Sequence, residues 1–524
     1  VGFKELQPIG AGHKVLRHPH ILCTGTKYII RLATPYTLLD SYSPQMYNNC
    51  VCNQVVAYRN RVMGATPDPT IEGLRQLSKA RKLICKFLPK VSQLPLDAIT
   101  SRYSGRKKDR YTKAYHELIS EGLTRRDAQC TLMVKGEKLD PLSKSQPDPR
   151  AIQFRRPKYC VAIAQFLHAC EHLIYNMRGD GVRLPRSRLI GKGLNARERG
   201  KLFYKKWQSF KAPVVIGLDA SRFDKHVNVP LLREEHAVYQ YMLDNPEFRK
   251  LLSWQERNTV SSRDGVKYVV AGKRMSGDMN TALGNCLLMI IMCVAAAKAV
   301  QLDSYDLLDD GDDILLFAET KDLELIKAEF PRLFLTYGMT LKIECVSREP
   351  EQVLWCQSRP ILIDSKYVFV RDPKKVMSNA LTGTKYFHEQ DRRPLVNTIG
   401  MAELVINLGV PILQEFALAL IRNAGSEKIL NFDPTDDLWY RLHRELRELG
   451  LKHLIKVNPR PITDDARLSF AKAYKIEPHV QIYLEDRLRS WVFLCEGETL
   501  DTSFHAKSWC GLTGPDVYHL RDSI

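Results

Sequence analysis

The chain has 524 residues, 44% of them hydrophobic, and carries a formal net charge of +19 with a pI near 9.3. That length and apolar content exclude a wholly disordered polypeptide and allow roughly two to four domains or subdomains. The positive surplus points to a polyanionic partner, either nucleic acid or an anionic membrane surface.

In chain order, residues 1–95 mix short strand-like runs such as KYIIRLA with turns. Residues 96–212 are strongly basic, with SRYSGRKKDR (101–110), KSQPDPRAIQFRRPK (144–158) and RLPRSRLIGKGLNARERGKLFYKK (183–206). Tyr103, Tyr111, Phe154 and Tyr159 interleave with these charges, a mixture suited to phosphate contact and base stacking. For any single run, a solvated face is the bland alternative. From 213 to 370 strands and helices alternate. PVVIGLD predicts a strand that ends in an acid, and GNCLLMIIMCVAAAKA predicts a buried helix. Its apolar run, Cys286–Ala297, is shorter than the roughly 20 residues that span a bilayer, so no transmembrane segment is expected in this chain. YDLLDDGDDILLF predicts two strands around a tight acidic turn, where Gly311 supplies backbone freedom. KDLELIKAEFPRLF reads as an amphipathic helix and YVFVRD as a strand. Beyond about 380 the pattern is helical. TDDLWYRLHRELRELG and TDDARLSFAKAY both open on Thr/Asp caps, and Gly450 stops the first. Trp439 and Trp491 are expected to pack in the core of this region.

The 13 cysteines are scattered and form no paired framework, as expected in a reducing compartment. Cys50 and Cys52, and the trio His168, Cys170 and His172, each lack the second half-site that a zinc centre needs. No secretory or transit signal is visible. The chain begins at Val1, not Met, as expected of a fragment or a processed product.

Crowded carboxylates survive folding when a cation neutralises them. Magnesium takes oxygen ligands, usually one or two carboxylates plus substrate phosphates. The acidic turn is then half of a site. Asp219, at the end of its own apolar strand, supplies the other half, with Asp224 five residues on. Side by side, the two elements bring Asp219, Asp312 and Asp313 to one sheet edge, where a pair of metals can promote phosphoryl transfer. Between them lies GKRMSGDMNTALGNCLLM (272–289). Ser276 and Gly277 are expected in a flexible loop, and Thr281 and Asn285 on one face of the following helix turns. A polar face ahead of a wholly apolar helix makes sense if it looks into an active site.

GLDASRFDKHV, SGDMNTALGN and DGDD, in this order, resemble motifs A, B and C of viral RNA-dependent RNA polymerases, in wording closest to the tombusvirus–luteovirus group. SRYSGRKKDRY resembles motif G, KSQPDPRAIQFRRP motif F, GMTLKIE (338–344) motif D and LWCQSRPIL (354–362) motif E. Asp310 stands where relatives often carry Asn, and Lys225 where Gln is common. The resemblance implies an α+β right-hand fold with an antiparallel palm sheet and a mainly helical thumb. Residues 1–95 would form an N-terminal extension and part of the fingers, and 96–212 the fingers. Residues 213–375 would form the palm, with a fingers insertion near 240–272, and 376–524 the thumb.

The reaction it implies is templated addition of ribonucleoside monophosphates to an RNA 3′ end, with release of pyrophosphate. Two Mg2+ ions are implied, with Mn2+ able to use the same oxygen ligands. Asp219 and Asp312 would be the principal ligands and Asp313 an assistant. Asp224, with Asn285 and Ser276 or Thr281, would read the ribose 2′-hydroxyl, the group that separates RNA from DNA. The alternative for Asp224 is a pair with Arg222 or Lys225. Arg150, with Arg155 and Lys144, would grip the nucleotide, and Lys342 would protonate departing pyrophosphate. Arg106, Lys107, Arg156, Lys158, Gly277, Cys356 and Gln357 would touch RNA, the last two at a turn supporting the growing strand. Implied partners are single-stranded template, nascent RNA, ribonucleoside triphosphates and a membrane-anchored viral replication protein, at membranes of the host cytoplasm. The rival readings are a reverse transcriptase or other two-metal nucleic-acid enzyme, and a non-catalytic basic RNA-binding protein.

Overall fold

The computed structural model describes residues 6–17, 28–33, 39–141, 147–383, 388–430, 437–501 and 503–504. At its centre is a four-stranded antiparallel sheet in the order Leu341–Ser347, Pro213–Ala220, Asp313–Glu319, Tyr305–Asp309. The two inner strands are near-continuous apolar runs because both faces of the sheet are covered. Their side chains divide with the period of two that a strand imposes. Val214, Ile216, Leu218, Ile314 and Leu316 enter the large core. Val215, Leu315 and Phe317 pack on the opposite face with Phe203, Trp207, Trp355 and Phe369. Asp219 and Asp313 continue this second series, so both carboxylates lie where that face runs out of cover.

The helix Thr281–Ala299 runs through the first core, and every residue from Leu283 to Ala297 is buried. It packs against the helices Ile71–Cys85, Pro157–Tyr175, Val229–Met242 and Leu323–Thr336. It is long and apolar enough to cross a bilayer, but 83% of its most apolar window is enclosed by protein. Fully burying each large aliphatic side chain contributes about 1.5–3 kcal/mol, so this one element anchors much of the core.

A second sheet of five strands has the order Lys14–Arg17, Lys267–Ala271, Arg257–Ser262, Cys130–Val134, Ala151–Arg155. It joins segments distant in sequence, and its pair Cys130–Val134 with Arg257–Ser262 is parallel. Beyond the hairpin Ser358–Ile363/Lys366–Arg371 the chain is mainly helical, with Glu389–Ile406, Leu413–Ala424, Asp437–Glu448, Asp464–Tyr474 and Pro478–Ser490. Thr463 caps one of these, its hydroxyl accepting from Ala466 N at 3.2 Å. Gly450, at φ +70°, follows Asp437–Glu448. Trp491 stacks on Phe416 with ring centres 6.3 Å apart; the side chain of Trp439 lies outside the described residues.

The basic run 183–206 is only in part an exposed stripe: Arg183, Arg186, Lys201 and Lys205 are exposed, but other cations of the run serve the fold. Lys206 is fully buried, its Nζ 2.7 Å from Asp306 Oδ1. Arg188 donates to the carbonyl of Ile190 at 2.7 Å and to Asn176 Oδ1 at 2.7 Å. Lys192 and Arg199 both reach Asp310. These cations dock the helix Ala196–Trp207 and the loop before it onto the edge of the central sheet, where Gly191 N donates to the Asp309 carbonyl at 2.7 Å.

Candidate active site

The antiparallel register sets Asp313 directly opposite Asp219, and Lys342 opposite Asp219 on the other side. Direct partners on adjacent strands point to the same face, so two carboxylates and an amine converge on one edge. Asp312 is exposed at the turn beside them, and its carbonyl accepts from Ala220 N at 3.4 Å. Gly311 takes φ +98°, which an L side chain rarely adopts, and a Cβ built there would lie 3.8 Å from Asn285 Cβ. The tip of the acidic turn therefore abuts the apolar helix near its N-terminal end.

The four aspartates of this turn have four different environments. Asp309 is fully buried, accepts from Gly311 N at 3.2 Å, and burial holds its carboxyl well above the usual range. Asp310 is buried between Lys192 and Arg199, with the Arg199 contact at 2.5 Å. Despite the burial, those two cations hold its carboxyl below the usual range. Its charge thus has two structural partners, and the Sγ of Cys356, whose backbone N–H holds Asp313, also donates to it at 3.4 Å. Asp313 is half-buried, and burial followed by the charges of Glu344 and Asp312 lifts its carboxyl to about 7. One of its oxygens accepts from Cys356 N at 2.7 Å; the other is not so held. Asp312 alone faces open solvent.

Asp219 is lifted to about 6, first by burial, then by Glu344 and Asp312, with Lys342 and Arg150 opposing. Glu344 escaped the sequence reading. The strand Leu341–Ser347 carries a bulge: Ile343 pairs with Leu218 and Cys345 with Gly217, leaving Glu344 without a partner. The bulge aims a further carboxylate at the cluster. The one available signal is that Glu344 follows Lys342 by two positions in a strand.

Asp224 is half-buried and does not pair with Arg222 or Lys225. Arg222 reaches Asp148 at 2.8 Å, and Lys225 donates to Gln7 Oε1 at 2.5 Å. Asp224 Oδ1 instead accepts from Asn285 Nδ2 at 3.2 Å. Its carboxyl is lifted to about 6 by burial and by Asp312. Asp224, Asp312 and Asn285 thus share one mouth.

The loop before the helix is stitched to the strand Ala151–Arg155. Ser276 Oγ donates to Ala151 O at 3.0 Å, and Gly277 N donates to Gln153 O at 2.9 Å. A side chain at Gly277 would meet Phe154 Cβ at 2.6 Å. Thr281 Oγ1 donates to Met275 O at 2.9 Å, so this hydroxyl closes the loop rather than facing Asp224.

The basic residues separate by strand parity. Arg150 is exposed, pairs with Glu137 at 3.4 Å, and its charge acts on both Asp219 and Asp224. Arg155, expected beside it, is buried. It holds Asp278 at 2.5 and 3.0 Å and the Ala128 carbonyl at 2.6 Å, which removes it from any nucleotide. Its neighbour Arg156 is exposed. Lys158 pairs with Glu121 at 3.0 Å and Asp127 at 3.6 Å. Arg106 is exposed and Lys107 lies 4.6 Å over the Tyr103 ring. Tyr159 is buried, donating to Leu251 O at 2.8 Å, and offers no face for a base. Lys144 lies outside the described residues.

Cys356 and Gln357 form the tip of a two-residue turn between Trp355 and Ser358, which exchange backbone bonds of 3.0 Å in both directions. Both tip residues have positive φ, +50° and +59°, without the Asn-Gly signature of such turns. Trp355 Nε1 donates to the Asp313 carbonyl at 3.0 Å. Together with the Cys356 N–H, this fixes the turn to the carboxylate edge. Gln357 is exposed and accepts from Lys375.

Among the described residues no three His, Cys, Asp or Glu side chains are already gathered on one metal-sized point. The donor set still fits hard divalent cations. Asp219 and Asp313 are lifted first by burial and then by neighbouring carboxylates, a combination that a bound cation would relieve, and their oxygens are the ligands that such ions take.

Residues 35–496 match a family model described as viral RNA dependent RNA polymerase. The chain is 32% identical over 450 residues to the RNA-directed RNA polymerase of Groundnut rosette virus (strain MC1), covering 84% of this chain and 52% of that protein. It is 34% identical over 440 residues to that of Tobacco necrosis virus (strain D), covering 80% and 58%. With that of Tomato bushy stunt virus (strain Cherry) it is 33% identical over 445 residues, covering 84% and 52%. The chain spans a little over half the length of these curated relatives. An acidic hairpin facing Asp219, an amide–carboxylate pair beside it and a match over most of the sequence agree: the chain belongs to the viral RNA-dependent RNA polymerase family.

Proposed function

We propose that this chain extends RNA on an RNA template, joining ribonucleoside monophosphates to a 3′-hydroxyl and releasing pyrophosphate. The observation that carries the reading is the register setting Asp313 opposite Asp219, at the same mouth as the Asp224–Asn285 pair. Asp219 and Asp312 would hold divalent cations, with Asp313 assisting through its second oxygen. Magnesium is the first candidate, in two copies, and manganese accepts the same ligands. When bound, such a pair acidifies the attacking hydroxyl and neutralises the triphosphate.

The chain's own groups do the rest. Asp224 accepts a hydrogen bond from the ribose 2′-hydroxyl, which a deoxyribonucleotide lacks. Arg150 offers a planar cation to the triphosphate. Lys342, exposed on the strand beside Asp219, gives a proton to the departing pyrophosphate. Gly277 lets the loop approach the template, and the Cys356–Gln357 turn supports the growing strand. Arg106, Lys107 and Arg156 line the RNA path. In this reading the central sheet is the palm, the five-stranded sheet with its flanking helices the fingers, and the C-terminal helices the thumb. The basic surplus and the viral relatives support work on RNA; the proposed setting is host cytoplasmic membranes, beside a membrane-anchored replication protein.

The test is primer extension with template, four ribonucleotides and Mg2+. Asp312→Asn is expected to abolish extension while RNA binding, read by fluorescence anisotropy, persists. Undiminished synthesis by this variant, or degradation of RNA by the unaltered chain, would overturn the assignment.

A further inference from the structure

We propose that Arg274 and Glu235 are a positioning pair that sets sugar preference by fixing which way the Asn285 amide faces. The inference rests on the polymerase reading above and concerns residues outside the metal-binding edge.

The amide of Asn285 has two ends with opposite chemistry, and an isolated amide can present either. Here Arg274 Nε donates to Asn285 Oδ1 at 2.8 Å. A guanidinium has donors only, so the oxygen end must face Arg274. The nitrogen end must then face Asp224, which it reaches at 3.2 Å. With the amide the other way round, its oxygen would confront the Asp224 carboxylate, and the acceptor meant for a 2′-hydroxyl would be displaced by repulsion. Arg274 also holds Asp224 directly, its backbone N donating to the Asp224 carbonyl at 2.9 Å. One residue thus fixes both halves of the candidate ribose reader.

Arg274 is itself held. Its side chain is 1% exposed and that of Glu235 is 0% exposed. The guanidinium bonds both Glu235 oxygens, the longer contact being 3.4 Å. Glu235 Oε1 also accepts from Asn280 Nδ2 at 2.7 Å and Tyr239 OH at 2.8 Å. Four donors on one buried carboxylate leave little freedom in its position. Gly284, one residue before Asn285, makes room: a Cβ there would overlap the Glu235 carboxylate and come 2.5 Å from an Arg274 nitrogen. A buried ion pair is weak evidence for stability, and an orienting role is its better-attested use.

The test compares kcat/KM for ribonucleotides with that for deoxyribonucleotides in single-nucleotide primer extension. Arg274→Lys keeps the charge and is still only a donor. Its single nitrogen on an unbranched stem replaces the separate nitrogens that now bond Asn285 and both Glu235 oxygens at once, so with Glu235 holding it the amide loses its fixed donor. The substitution is expected to lower the ribo/deoxyribo ratio about tenfold, the worth of one well-oriented hydrogen bond. A merely structural role would lower both rates together and leave the ratio unchanged, which would overturn the inference. If Arg274→Lys does not fold, Gly284→Ala presses on the same pair and is expected to lower the same ratio. In an Asn285→Ala background, Arg274→Lys is expected to change the ratio no further; an additive loss would show that Arg274 does not act through Asn285. An unaltered chain that makes no templated RNA would instead refute the polymerase reading.

Discussion

The third aspartate from the end of the acidic turn gives the sharpest separation of a charge held by protein cations from the charges proposed to act in catalysis. Asp310→Asn keeps the shape and removes the carboxylate that Lys192 and Arg199 share. The side chains involved are 8%, 28% and 13% exposed, so the cations left behind are largely desolvated. Removing one partner of a buried ion pair costs about 3–5 kcal/mol. The partial exposure of Lys192, and the amide oxygen that Asn retains, place the expected cost at the lower end, about 3 kcal/mol. At about 2 cal/mol/K of unfolding entropy per residue, a chain of 524 residues turns this into a Tm drop of about 3 °C. Thermal unfolding followed by circular dichroism measures it, beside Asp312→Asn, which is expected to leave Tm unchanged or raised because a like charge has gone. Primer extension well below the transition completes the comparison: Asp310→Asn keeps extending and Asp312→Asn does not. An unchanged Tm for Asp310→Asn, or loss of extension by its folded form, would refute the argument.

Three further expectations concern the carboxylate edge and the loop packed on the strand Ala151–Arg155. Asp219 and Asp313 sit at about 6 and about 7, above the carboxylate value of an unfolded chain. Their contribution to stability is therefore full at acid pH and is lost as pH rises through the folded values. The Tm gain on adding MgCl2 should accordingly grow between about pH 5.5 and 7.5, and a gain independent of pH would contradict this. Glu344→Gln removes a charge that lifts both carboxyls, so the acid limb of the extension rate should move down by about 0.5–1 pH unit; an unmoved limb would show that the bulge does not aim Glu344 at the site. Gly277→Ala should cost about 1–3 kcal/mol in urea unfolding through overlap with Phe154, whereas Gly383→Ala, with nothing within 4 Å, should cost nothing resolvable.

The strands carrying Asp219 and Asp312–Asp313 were legible because an apolar run buried on both faces has to end where water or a ligand begins. The helix after Ser276 was legible for the same reason, its polar residues confined to one end. The fate of individual cations was not. Arg155 and Arg156 are adjacent and chemically identical, yet one is enclosed against Asp278 and the other exposed, because successive strand residues face opposite ways. The alternation is visible in sequence; which face is covered depends on strands from 130–134 and 257–262. The bulge at Glu344 and the paired positive φ angles at Cys356 and Gln357 leave no compositional trace. Nor does the ion pair of Arg274 with Glu235, whose partners stand 39 positions apart.

The enclosure of Thr281–Ala299 has a mechanical corollary. An α-helix advances about 100° for each residue, so a slip of one position would swing an apolar neighbour such as Gly284 or Cys286 into the place Asn285 holds. Because apolar side chains from other helices grip the rod along its length, it can neither roll nor slide in small steps. Altered substrate choice in this chain is therefore expected from exchanging residues at the rod's open end or the groups that hold that end, such as Arg274 and Glu235, not from reorienting the rod.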